Sequence, residues 1–125
     1  MKKPLILLML SSLALTVSTT TQAAEQTTQD TKTHQSHAKR ASGVWIDVRT
    51  PEEYQQGHLS NTYNVVPQDI AMKIASIEPN KHAPINLYCR SGRRAEVARK
   101  TLMDLGYTNV TNHGGYQELY SKGLR

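Results

Sequence analysis

The sequence predicts an α/β domain, a mainly parallel central sheet of four to five strands flanked by helices. Three observations predict it. Apolar, β-prone runs alternate with helix-like segments from Gly43 to the C-terminus. Helix start and stop signals punctuate them, with Thr50-Pro51-Glu52-Glu53 as a start and Gly57 and Gly106 as stops. The apolar run Leu87-Tyr88-Cys89 passes directly into Arg90-Ser91-Gly92-Arg93-Arg94 and then into a helical pattern. That is a strand, a tight turn and a helix.

Val44-Trp45-Ile46-Asp47-Val48 reads as a buried first strand. Thr50 caps the following helix, with Pro51 in its first position and Glu53 three residues after the cap. Thr62 to Val66 is a second strand, and Asp69 to Ser76 a helix that turns Ile70, Ile74 and Ile77 inward. Pro84 to Tyr88 is the third strand. Arg94 to Leu105 is the strongest helix, with Ala98, Leu102 and Leu105 on one face. Tyr107 to Val110 is a fourth strand, Gly114-Gly115 a turn, and Tyr116 to Lys122 a last helix. A domain of about 80 residues is small for this architecture and predicts a modest stability margin.

The N-terminus has a different composition. Lys2 and Lys3 precede an apolar run from Leu5 to Val17, followed by Thr residues and Gln22-Ala23-Ala24. This is the pattern of a cleaved export signal over 1–23. The run is short and interrupted for a membrane span. The expected product is exported and periplasmic, with no stable membrane association after cleavage. Residues 24–42 are rich in Thr, Gln, His, Lys and Ser, which predicts a flexible polar linker before a domain over 43–125. His34 and His37 lie in it, and two His residues alone do not specify a metal site.

Loss of Lys2 and Lys3 takes the formal charge from +5 to +3. Arg90, Arg93 and Arg94 gather beside the chain's one cysteine, which points to a small anionic substrate. No aromatic interleaving supports a nucleic-acid surface. An export signal implies an oxidising compartment, where a lone thiol is a liability unless buried or used. In the turn before a helix, backbone N–H groups and the helix dipole favour a thiolate. The three arginines and Gly92 after Cys89 make a poor setting for a merely apolar cysteine. Sites in parallel sheets form at the carboxyl ends of strands. That rule gathers Cys89, Asp47 and Arg49 at one rim, and places His58 nearer the opposite one.

The motifs Trp45-Ile46-Asp47-Val48-Arg49-Thr50-Pro51-Glu52-Glu53-Tyr54, Gly57-His58-Leu59, Asn64-Val65, Tyr88-Cys89-Arg90-Ser91-Gly92-Arg93-Arg94, Gly106-Tyr107 and Gly114-Gly115-Tyr116 occur in this order over nearly all of 43–125. In them the chain resembles the single-domain rhodanese family, in its short exported form. The resemblance implies a sulfurtransferase with a rhodanese-like fold that carries sulfur as a persulfide on Cys89, without a metal or organic cofactor. It implies thiosulfate as a small anionic donor and cyanide or a thiol as acceptor, with any protein acceptor unspecified. Arg90, Ser91, Gly92, Arg93 and Arg94 form the substrate loop in this reading. Arg90 suits the sulfonate end of thiosulfate because a guanidinium matches oxyanions in a bidentate manner. Arg94 closes the loop, and Arg93 is either a ligand or a solvated residue. Asp47 and Arg49 support the rim as paired charges, and His58 is a packed, hydrogen-bonded turn residue. The family's usual strand and helix before Asp47-Val48-Arg49 are replaced by the linker, which predicts fewer strands or a bare sheet edge. Its usual Pro-Gly after Gly57-His58 is Ser60-Asn61, and Asn tolerates the left-handed turn this requires.

Other readings use the same residues. Cysteine phosphatases and arsenate reductases separate Cys and Arg by five residues, whereas four separate Cys89 from Arg94. A shorter loop makes a smaller nest, suited to one sulfur more than to a tetrahedral oxyanion. A non-turnover persulfide carrier needs the same loop as the enzyme. A redox protein with one cysteine acts only through mixed disulfides.

Overall fold

A computed structural model describes residues 38–125. The predicted export signal, most of the predicted linker, and His34 and His37 lie outside the described residues. Four strands, β1 (Val44–Asp47), β2 (Tyr63–Asn64), β3 (Ile85–Cys89) and β4 (Val110–Gly115), form one sheet in the order β2-β1-β3-β4. All three pairings are parallel. The helices are α1 (Pro51–Gln56), α2 (Ile70–Ile77), α3 (Arg93–Asp104) and α4 (Tyr116–Ser121), and one turn of 3-10 helix, Pro67–Asp69, leads into α2.

The period of two along the strands divides the core into two layers. Ile46, Val48, Ile85, Leu87 and Cys89 pack with Ile70, Ile74, Ala95, Ala98 and Leu102 of α2 and α3. Trp45 and Tyr88 face the other way, against Leu59, Leu119 and Leu124. Every residue of β3 is buried, as expected for a parallel strand covered on both faces. The chain winds from β1 outward to β2, then returns to place β3 on the other side of β1. The sheet's topological switch point therefore lies between β1 and β3, and it opens at their carboxyl ends.

Local signals explain several elements. Thr50 and Glu53 form the expected reciprocal capping box, and Gly57 ends α1. Asn61 takes a positive φ of 53°, so the turn keeps the left-handed step without glycine. Gly106, at φ 95°, ends α3 with the paired bonds of a Schellman motif, Gly106 N–H to Met103 C=O and Tyr107 N–H to Leu102 C=O.

The structure departs from the sequence reading at four points. Tyr107 to Asn109 is not strand, and β4 occupies Val110–Gly115, including the pair of glycines read as a turn. The chain after α3 is held by that helix cap, by Tyr107 Oη donating to the Glu78 carbonyl at 2.7 Å, and by Thr108 N–H on Lys81 C=O. Leu105 does not face the core. It follows the last residue of α3 and is 38% exposed, while Tyr107 fills the space below. The second strand shrinks to two residues. Residues 38–42, read as linker, make specific contacts. Ala38 N–H bonds Gly123 C=O, Arg40 reaches Ser60 and the Arg125 carbonyl, and the Trp45 indole N–H donates to Ala41 C=O.

Candidate active site

Cys89 ends β3, and its side chain is fully buried in the α2/α3 layer. The Gly92 N–H donates to Cys89 Sγ at 2.9 Å. Gly92 caps α3 in the left-handed region, at φ 93°, and no side chain caps that helix. The first free N–H groups of α3 thus face the cysteine turn, where their dipoles favour a charged sulfur. The expected convergence of further N–H groups from Arg90 to Arg94 on the sulfur shows no second bond among the described residues.

The turn is braced from β4. Asn112 Nδ2 donates to Gly92 C=O at 2.9 Å, and Asn112 Oδ1 accepts from Gly114 N–H at 2.9 Å. Gly115 pairs with Cys89 across an irregularity in the ladder. A Cβ at Gly115 would stand 2.5 Å from the Arg90 carbonyl oxygen, so glycine is needed for the strand to approach the loop.

The arginines separate into distinct roles. Arg90, Ser91 and Arg93 are exposed. Arg94 directs Nη1 and Nη2 to the two carboxylate oxygens of Glu53, at 2.7 and 3.0 Å. This pair ties α1 to the start of α3. The Arg94 hydrogen bond, together with Thr50, holds the Glu53 carboxyl down at about 2. The same bond raises Arg94, and the charges of Cys89 and Asp47 add to it. Arg99 pairs with Glu96 on the outer face of α3. His58 is exposed, stacks on Tyr54 at 3.6 Å between ring centroids, and bonds the Tyr54 carbonyl through Nδ1 at 2.7 Å. Glu53 is ionised above pH 4.5 whether or not the chain is folded, so the pair's stabilisation is complete there. It is lost as pH falls from 4.5 to about 2. The pair is partly solvated and contributes about 1 kcal/mol or less. Glu53→Gln is expected to remove this component, flattening the acid limb of urea-midpoint against pH. An unchanged limb would contradict the assignment.

Asp47 and Arg49 form the rim, but as a buried ion pair with each other. Asp47 is wholly buried, and Arg49 is 6% exposed. Arg49 Nε lies 3.0 Å from both Asp47 oxygens, Nη2 lies 2.7 Å from Oδ2, and the Arg49 backbone N–H donates to Oδ1 at 2.9 Å. Nη2 also reaches the Gly57 carbonyl at 2.6 Å. Burial opposes the charge on Arg49, but the bond and attraction to Asp47 outweigh it and raise its pKa. The guanidinium carbon lies 4.4 Å from the centre of the Tyr116 ring and 5.8 Å from that of Tyr88. Burial pushes the Tyr88 phenol well above its ordinary value.

A cavity of about 410 Å³ opens at this rim, lined by Arg49, Glu53, Gln56, Arg90, Tyr116 and Gln117 among others. Of the predicted site residues, Arg49 and Arg90 line this cavity, Cys89 and Asp47 are buried at the ends of their strands without lining it, Arg94 is held by Glu53, and Ser91 and Arg93 are exposed. Sequence reasoning missed Asn112 and Tyr116, and gave Glu53 only its capping role. Asn112 and Glu53 act across 20 and 41 residues of sequence, where no spacing rule reaches. Among the described residues no three His, Cys, Asp or Glu side chains gather as metal ligands.

Known proteins resemble this chain in sequence and in fold. The rhodanese-like domain family model matches residues 27–122. Thiosulfate sulfurtransferase PspE of Escherichia coli is 39% identical over 79 residues, covering 63% of this chain and 76% of that protein. A putative mitochondrial thiosulfate sulfurtransferase of Schizosaccharomyces pombe is 38% identical over 93 residues, covering 62% and 66%. A solved structure described as rhodanese with anions from E. coli superposes with a TM-score of 0.60 at 38% identity, covering 62% of this chain and 91% of that one. The family model spans most of the chain, and the strand–cysteine turn–helix unit lies within its match: the chain belongs to the rhodanese-like sulfurtransferase family.

Proposed function

We propose that this protein is an exported, periplasmic enzyme that moves sulfane sulfur from thiosulfate, through a persulfide on Cys89, to cyanide or a thiol. The observation that carries the proposal is the Gly92 N–H directed at Cys89 Sγ from the start of a helix that no side chain caps. That setting stabilises negative charge on sulfur, which both half-reactions require. The thiolate attacks the outer sulfur of thiosulfate. A bond from Sγ to that sulfur forms, the donor's S–S bond breaks, and its electron pair leaves on sulfite. The acceptor then attacks the outer sulfur of the persulfide, and the broken bond's pair returns to Sγ.

Arg90 is exposed at the cavity and makes no side-chain bond among the described residues, so it is the group to hold the sulfonate. Arg94 serves as the loop's clasp through Glu53. With both Nη atoms engaged there, it is withdrawn from the oxyanion cradle that a phosphatase or arsenate reductase needs. The printed names of the E. coli and S. pombe relatives support thiosulfate as donor. Export rests on the basic and apolar pattern of 1–23, with 24–42 as linker and 43–125 as the domain.

Counting thiocyanate released per chain under excess thiosulfate and cyanide tests the proposal. Many equivalents are expected, and a single equivalent would indicate a carrier that does not turn over. Arg90→Ala is expected to raise KM for thiosulfate about tenfold, the scale of one charge-assisted contact. Its urea midpoint should stay unchanged, since Arg90 is exposed. An unchanged KM would remove Arg90 from the donor site.

A further inference from the structure

The strand that braces the cysteine turn carries an extra residue at that point. Leu87 of β3 pairs with Asn112 and Cys89 with Gly115, so two steps along β3 are matched by three along β4. A bulge of this kind bends a strand and re-aims its side chains, and such bulges gather beside active sites. This one is held by Asn112 itself, whose Oδ1 accepts from Gly114 N–H at 2.9 Å while Gly114 takes a φ of 87°. The other end of the same amide leaves the strand. Asn112 Nδ2 donates to Gly92 C=O at 2.9 Å and lies 3.4 Å from Glu96 Oε2. The two backbones meet closely there, and a Cβ at Gly92 would stand 3.2 Å from Gly114 Cα. Gly92 is the residue whose N–H donates to Cys89 Sγ at 2.9 Å. Glycine has the freest backbone of any residue, so something must hold it at its left-handed φ of 93°. Its carbonyl accepts from Glu96 N–H at 3.0 Å, an ordinary first bond of α3, and from Asn112. Among the described residues Asn112 is the one side-chain donor to Gly92, and it reaches in from another strand.

We infer that Asn112 is a positioning residue for the sulfur chemistry of Cys89, holding Gly92 so that its N–H stays on Sγ. The inference rests on the persulfide reading of Cys89 and deepens it. A hydrogen bond to a charged atom is stronger than one between neutral groups, so the Gly92 N–H favours the thiolate over the thiol. The same donor receives the electron pair that returns to Sγ when the persulfide is discharged. Aim decides the size of the effect, because hydrogen bonds weaken steeply as they bend. Asn112 bonds neither Cys89 nor an arginine among the described residues, and its effect on the sulfur runs through Gly92.

The experiment follows ionisation of Cys89 with pH through the ultraviolet absorbance of its thiolate, with Cys89→Ser subtracted to remove the tyrosines. The mature parent protein is compared with Asn112→Ala and Asn112→Ser. Serine can still accept from the Gly114 N–H, as hydroxyls do two residues on in turns, but is too short to reach Gly92. It keeps the bond within the bulge and loses the tie. Arg94, whose charge acts on Cys89, and Arg90, Arg93, Asp47, Glu53 and Glu96 are the same in all three proteins. Both variants are expected to ionise about one pH unit higher, the scale of one weakened bond to a charged group. Below both midpoints, sulfur loading from thiosulfate should slow severalfold, an about tenfold loss of thiolate partly offset by its greater nucleophilicity. Thr111→Ala, at the exposed neighbour in the same strand, should change neither. A merely structural role for Asn112 would lower the urea midpoint and leave the ionisation midpoint in place. An unchanged ionisation midpoint in both variants, beside a parent that loads sulfur, would overturn the inference and leave the persulfide reading standing. A shift in Asn112→Ala that Asn112→Ser lacks would assign the effect to the bulge's own bond and overturn it likewise. Failure of thiosulfate to load the parent protein would overturn the inference together with the persulfide reading.

Discussion

Cys89→Ser is expected to abolish sulfur transfer, with thiocyanate release at least about a thousandfold below the parent protein, because an alcohol at neutral pH does not supply the anionic nucleophile. The fold should survive. The serine Oγ replaces Sγ in the same buried position at the end of β3, and the Gly92 N–H can donate to it. A urea midpoint near that of the parent protein would separate lost chemistry from lost structure. Appreciable turnover in Cys89→Ser would remove Cys89 from the mechanism.

Asp47→Ala is expected to have the largest effect on stability. It leaves the Arg49 guanidinium buried beneath Tyr116 without its carboxylate, and orphans the Arg49 backbone N–H. Breaking a buried ion pair by removing one partner costs about 3–5 kcal/mol. Small domains have about 5–15 kcal/mol in total, so the urea midpoint should fall steeply. Asp47→Asn keeps one acceptor and should cost less. A loss below about 0.5 kcal/mol in Asp47→Ala, the range of ordinary surface substitutions, would contradict this account of the rim.

The two variants act on parts of the site that were unequally legible in the sequence. The cysteine turn was readable because its signals are local: an apolar strand, a glycine able to take a left-handed cap, and a helix start in consecutive residues. The Thr50–Glu53 box and the left-handed Asn61 were readable for the same reason. The rule that sites gather at strand carboxyl ends placed Asp47 and Arg49 beside Cys89, although not their mutual burial. Strand β4 was misplaced because its residues are polar. Thr111, Asn112 and His113 lack the pattern that marks a strand, yet Asn112 bonds Gly92 and His113 Nε2 lies 2.8 Å from Asn86 Oδ1. An edge strand meets its neighbour on one side only and tolerates such side chains. Burial without a charged partner lowers the His113 pKa, which favours the neutral ring that stacks on Trp45. The Glu53–Arg94 clasp joins positions 41 apart in sequence, and only the packing of α1 beside the start of α3 reveals it.

Every step of the proposed transfer depends on Cys89 holding a transferable sulfur atom. Intact-mass spectrometry of the mature protein, before and after brief exposure to thiosulfate and then after cyanide, measures this directly. The expected result is a gain of the mass of one sulfur atom, mapped to the peptide containing Cys89, and its complete loss to cyanide with release of thiocyanate. No gain of sulfur, or a gain that cyanide does not remove, would contradict it.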